Sequence, residues 1–85
     1  MDLGWTHAAV EQLLDLARMD WRQAERIQRA ILQHARDEAG DVKKLKGHPD
    51  EWRLRVGDWR VVFKYEGQPR RLNVLEVVNR RDAYD

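Results

Sequence analysis

The chain has 85 residues, no cysteine and a formal net charge of +1. That length predicts one domain over residues 1–85, burying only about 60–65% of its unfolded surface. The missing thiols exclude disulfides and cysteine-ligated zinc, and fit a reducing compartment. The N-terminal MDLGWTHAAVEQL has no basic segment followed by an apolar stretch, and no apolar run approaches the roughly 20 residues of a membrane span. The expectation is a soluble, cytoplasmic protein with no membrane partner.

Charge is unevenly placed. Residues 1–42 carry five arginines and eight carboxylates, whereas residues 43–85 carry eleven lysines and arginines against seven carboxylates. A basic second half suggests an anionic partner, nucleic acid first among them.

In chain order, the residues before Thr6 allow a short edge strand, which Gly4 weakens. Thr6 is an N-cap for a helix over about residues 7–18, with Val10, Leu13, Leu14 and Ala17 as its apolar stripe. Asp20 followed by Gln23 reads as a capping box. It opens a second helix, about 21–39, with Ala24, Ile27, Ile31 and Ala35 on one face and Arg22, Arg26, Arg29, Gln33 and Arg36 elsewhere. Gly40 suits the C′ position that ends it. So short a break predicts an antiparallel helical hairpin. Lys43-Lys44-Leu45-Lys46 reads as a basic junction, a phosphate contact or simply a solvated connection.

The period then changes from 3.6 to 2. Trp52, Leu54 and Val56 alternate with Arg53 and Arg55, and Gly57-Asp58 forms a two-residue turn of type II′. Trp59, Val61, Phe63 and Tyr65 follow in alternation. After Glu66-Gly67-Gln68-Pro69, a nearly continuous apolar run over 71–79 predicts a strand covered on both faces. The fold class is therefore α+β: an N-terminal antiparallel helical hairpin packed on a small, mainly antiparallel sheet.

The turn fixes the hairpin register. Val56 faces Trp59, Leu54 faces Val61 and Trp52 faces Phe63, all beneath the helices. The other face carries Arg55 opposite Arg60 and Arg53 opposite Val62. Like charges opposed across strands destabilise a sheet, so this placement needs a reason. One is a solvated face neutralised by Glu76. The other is an anion site, since planar guanidiniums on rigid strands suit a phosphate. Arg80 shares strand parity with Glu76 and extends that face; Tyr84 offers a ring for stacking on a base, or closes an incidental tail. The histidines show no metal-ligand spacing, and no phosphate loop or nucleophile motif is present, so no metal or cofactor is expected. Trp52 and Trp59 read as core. Trp5 and Trp21 are core or line a partner groove.

Three blocks, Lys44-Leu45-Lys46-Gly47, then Trp52 to Phe63, then Val78-Asn79-Arg80-Arg81-Asp82-Ala83-Tyr84, resemble the RelE/ParE toxin superfamily of type II toxin–antitoxin systems. The likeness is dense over 43–85 and reaches the first half only through its helical hairpin. It implies a small twisted sheet, a cognate antitoxin and, for RelE-like members, endonucleolytic cleavage of mRNA on the ribosome. There the 2′-OH attacks the adjacent phosphate, leaving a cyclic phosphate and a 5′-OH. Carried over by position, Arg53, Arg55, Arg60, Arg80 and Tyr84 are the catalytic set, and Lys44, Lys46 and Arg81 contact substrate. Arg55 and Arg60 would hold the scissile phosphate; Arg80 would act near the leaving oxygen and Tyr84 on the attacking nucleotide. Two positions depart from the pattern. Arg53 stands where some members carry a lysine, and an arginine is too basic to accept a proton. Asn79 stands where many have histidine. A short N-terminus implies a reduced or missing first strand. The alternatives are a ParE-like inhibitor of DNA gyrase and a catalytically degenerate module that only binds its antitoxin.

Overall fold

A computed structural model describes residues 1–79 and 81. The elements are β1 (Asp2–Trp5), α1 (His7–Met19), α2 (Trp21–Asp37), β2 (Asp41–Lys44), β3 (Trp52–Val56), β4 (Trp59–Glu66) and β5 (Arg71–Asn79). The strands form one five-stranded sheet of order β1-β5-β4-β3-β2. β1 runs parallel to β5, and every other pair is antiparallel. The α+β architecture expected from the change of period is the one observed.

β1 exists despite Gly4, and the reason is steric. A Cβ on Gly4 would lie 2.8 Å from the Arg71 guanidinium and 2.9 Å from Asn73 Oδ1 on β5. Glycine lets both side chains lie across the strand without shifting. Thr6 then leaves the sheet and caps α1. Its Oγ1 accepts from the Ala9 N–H (3.1 Å) and its hydroxyl donates to the Leu75 carbonyl (2.8 Å). This cap ties the helix start to β5.

The stripe expected on α1 is rotated. Ala9 and Leu16 are buried, Leu13 and Ala17 pack against the core, and Val10 and Leu14 face solvent. Gln12 fixes the rotation: its Oε1 accepts from the Val77 N–H at 2.7 Å, so a polar side chain occupies the helix–sheet seam. Asp20 both ends α1 and caps α2, where its side chain accepts from the Gln23 N–H. On α2 the expected Ala24, Ile27, Ile31 and Ala35 are buried, joined by His34.

α2 ends at Asp37, two residues before the expected limit. Glu38 takes the left-handed conformation (φ 59°) and returns its N–H to the His34 carbonyl. Gly40 does not cap the helix. With φ 113°, and with a Cβ that would fall 2.8 Å from Leu54 Cδ1, it turns the chain into β2 against β3. The segment read as a basic junction is thus partly a strand, Asp41–Lys44, paired with Trp52–Arg55. Four residues are too short a period-2 signal to stand out beside a lysine run.

The hairpin has the predicted register, Val56 opposite Trp59 through Trp52 opposite Phe63. Gly57 has φ 60° while Asp58 keeps a negative φ, as a II′ turn requires. β5 lies between β1 and β4, and a register shift between Val62 and Phe63 lets Leu72, Val74 and Val77 all enter the core. The core lies between helices and sheet, around Phe63, Ile27, Ile31, Val61 and Val74.

Candidate arginine-lined sheet face

Strand alternation puts Arg53 and Arg55 of β3 and Arg60 of β4 on the sheet face away from the helices, because Leu54, Val56 and Val61 occupy the core side. Arg55 stands opposite Arg60, as expected. Their Cβ atoms are then about 5 Å apart. Arg55 is exposed, but Arg53 and Arg60 retain only 7% and 8% of their accessible surface. Burial at this level matters because a guanidinium cannot shed its proton to escape the low-dielectric environment.

Arg53 is held from β2. Its Nη1 donates to the Asp41 carbonyl oxygen at 3.0 Å and to Asp41 Oδ1 at 3.2 Å. The carboxylate that meets Arg53 is therefore Asp41, a residue outside the predicted set. Glu76, the expected neutralising group, lies opposite Val62, while Arg60 faces Val78 across the other ladder. Asp41 also stands opposite Arg55. The face thus carries a nearly buried arginine locked by a carboxylate, a second nearly buried arginine, and an exposed one between two strands. Held on a sheet, such donors are preorganised for a tetrahedral oxyanion.

The predicted substrate contacts are dispersed. Lys44 shares the parity of Val42, opposite Trp52, so it projects to the helix side, with its Nζ 5.8 Å from the Trp52 ring centroid. Lys43, opposite Arg53, is the β2 lysine on the arginine face. The alternation Asp41-Val42-Lys43 was the signal for both Asp41 and Lys43. Lys46 is exposed in a loop closed by the Leu45 N–H to Glu51 carbonyl bond (2.9 Å). Arg81 is exposed, and its N–H donates to Asn79 Oδ1 at 3.0 Å. Arg80 and Tyr84, assigned to the same face by parity and by resemblance, lie outside the described residues.

A second polar cluster sits on the helix side. His34 is buried, with Nδ1 2.9 Å from the Ala39 carbonyl and Nε2 2.7 Å from the Tyr65 hydroxyl. A carbonyl only accepts, so Nδ1 carries the hydrogen, and in the neutral ring Nε2 accepts from Tyr65. Burial raises the Tyr65 hydroxyl above its ordinary pKa; Arg70, stacked 3.9 Å from the ring centroid, opposes this and Glu38 adds to it. The cluster pins α2 to β4.

Comparison with known proteins follows the same outline. The family model for the ParE toxin of the type II toxin–antitoxin system parDE matches residues 3–84. A YoeB/ParE toxin from Agrobacterium tumefaciens superposes with a TM-score of 0.81 at 27% identity, over 93% of this chain and 98% of that one. The archaeal RelE–RelB complex from Pyrococcus horikoshii OT3 gives a TM-score of 0.63 at 26% identity, over 96% and 97%. The RelB–RelE antitoxin–toxin complex from Methanococcus jannaschii shares the fold, with a TM-score of 0.72 at 19% identity over 96% and 99%. No curated protein matches the sequence.

Proposed function

This chain belongs to the ParE toxin family of type II toxin–antitoxin systems, and on that premise we propose that it is a ribosome-dependent mRNA endonuclease held silent by a cognate antitoxin. The observation that carries the reading is the opposed pair Arg55 and Arg60 beside Arg53 on one rigid sheet face. A phosphate bound between the two guanidiniums is attracted by both, on donors that the strands already hold in place.

In the proposed reaction the 2′-oxygen of mRNA bonds to the adjacent phosphorus and the bond from phosphorus to the 5′-oxygen breaks. The products are a 2′,3′-cyclic phosphate and a 5′-OH; the 2′-hydroxyl proton passes to solvent water and water returns a proton to the 5′-oxygen. Arg55 and Arg60 hold the phosphate and stabilise its developing charge. Arg80 serves the leaving oxygen, Tyr84 stacks on the attacking nucleotide, and Lys46 and Arg81 meet flanking phosphates. Lys44 is the weakest of the carried-over contacts, because it leaves the sheet on the opposite side. Arg53, permanently charged and bonded to Asp41, positions the others rather than accepting a proton. Catalysis then rests on alignment by the ribosome and on charge stabilisation.

An antitoxin partner is supported by the toxin–antitoxin complexes among the structural neighbours and by exposed Val10, Leu14 and Met19 on α1. A second reading, inhibition of DNA gyrase, is favoured by the ParE identity of the matching family model. RNA 5′-end mapping on translating ribosomes, run beside a gyrase supercoiling assay, separates the two. The proposal expects cuts at the ribosomal A site, abolished in Arg60→Ala. Blocked supercoiling without cuts would replace it.

A further inference from the structure

α2 carries a feature that neither its packing nor the arginine face uses. Arg22, Arg26, Arg29 and Arg36 are all exposed. At 3.6 residues per turn they fall within an arc of about 80°, centred opposite the buried Ile27 and Ile31, and span about 21 Å. Helix stability explains Arg36, a last-turn cation favoured by the macrodipole, but not the row as a whole. Arg22 lies in the first turn, which has no acidic residue and where the macrodipole disfavours a cation. Arg22 and Arg26 are an i,i+4 like-charge pair, which is also unfavourable. One carboxylate, Glu25, is 3.2 Å from Arg29, but that pair is mostly exposed and binds weakly.

Two further observations give the stripe a direction and a chemistry. Arg26 reaches the β3–β4 turn: a Cβ on Gly57 would lie 3.1 Å from its Nη1. That turn joins the strands bearing Arg55 and Arg60, so Arg26 stands where the arginine-bearing sheet meets the helix, beside the exposed carboxylate of Asp58. At the start of α2, Trp21 is 60% exposed and the Arg22 guanidinium sits 5.5 Å from its ring centroid. Arginines in a row beside an exposed aromatic ring match the needs of an RNA strand, whose phosphates follow the charges and whose bases stack.

We infer that the arginine stripe of α2, with Trp21, is a second RNA-binding surface that holds the nucleic acid flanking the segment on the sheet face. The identity of the polymer rests on the proposed function; the surface itself does not. An acidic protein segment would meet the same charges; stacking of bases on the indole is what an RNA strand adds.

The test compares binding of a labelled, mixed-sequence 20-nucleotide single-stranded RNA and of poly-L-glutamate across a salt series, using the full chain. In the variant with Arg22→Gln, Arg29→Gln and Arg36→Gln, RNA binding weakens on the order of tenfold, and the salt slope falls by about 2, near 0.7 for each phosphate no longer neutralised. Removing equal charge elsewhere, with Arg18→Gln, Arg70→Gln and Arg71→Gln, changes RNA binding by less than about twofold on the same argument. Trp21→Ala weakens RNA binding and leaves poly-L-glutamate unchanged. Equal weakening in the two triple variants would overturn the inference, as would a Trp21→Ala effect on both polymers or on neither. Arg55→Gln with Arg60→Gln keeps the readings apart. If wild-type protein cuts no mRNA on translating ribosomes while stripe-dependent binding of the 20-nucleotide RNA persists in this double variant, the nuclease reading fails and the stripe stands. Cutting that survives with no stripe contribution gives the reverse.

Discussion

Replacing Asp41 by alanine should move stability and RNA affinity in opposite directions. The Asp41 carboxylate is 3.2 Å from Arg53 Nη1, with side-chain exposures of 60% and 8% respectively. Breaking a buried pair costs about 3–5 kcal/mol and breaking an exposed one about 0–1. With one partner buried, one largely in water and the Asp41 backbone carbonyl still bonded to Arg53, the destabilisation should be about 1–2 kcal/mol. For a domain this small, each kcal/mol lowers Tm by roughly 4–8 °C, giving a drop of about 4–15 °C by circular dichroism melts. Removing the same carboxylate leaves the face more positive, so RNA binding should strengthen and its salt slope steepen. Asp15→Ala, which removes an exposed carboxylate of α1 paired to the exposed Arg18 and away from Arg53, is the control and should change neither strongly. A variant that melts like the parent, or that is both less stable and weaker for RNA, would refute the assignment of Asp41 as the clamp on Arg53.

Tyr65→Phe removes the hydroxyl bonded to His34 Nε2 and leaves a buried acceptor unsatisfied, which costs about 1–3 kcal/mol; urea melts should show it, and an unchanged midpoint would mean the bond contributes nothing net. The same hydroxyl gives a pH signature. Its folded-state pKa lies above the unfolded value of 10.0, so its contribution is fully present below that pH and disappears as pH rises through the folded value. Alkaline melts of the parent should therefore decline more steeply than those of Tyr65→Phe. Gly40→Ala, at φ 113° and in collision with Leu54, should destabilise by about 1–3 kcal/mol. Expression of Arg55→Gln or Arg60→Ala should relieve growth arrest while circular dichroism shows a retained fold; full toxicity in a folded double variant would remove the arginine face from the mechanism.

The sequence determined most of what depends on local signals. Thr6 and Asp20 mark both helix starts, Gly57-Asp58 sets the hairpin register, and that register alone places Arg53, Arg55 and Arg60 on one face and Arg55 against Arg60. These follow because a two-residue turn and a period of 2 leave no freedom to slip without exposing Leu54 and Val61. Tertiary structure decided what depends on the meeting of distant segments. Four-residue β1 and β2 have too little pattern to declare themselves; pairing with β5 and β3 creates them. Gly4 and Gly40 read as a strand breaker and a helix cap until Arg71, Asn73 and Leu54 appear beside them. The rotation of α1 waits on Gln12 reaching the N–H of Val77. Asp41 becomes the partner of Arg53 only when β2 docks, and its arrival gives one member of the expected catalytic set a carboxylate beside it.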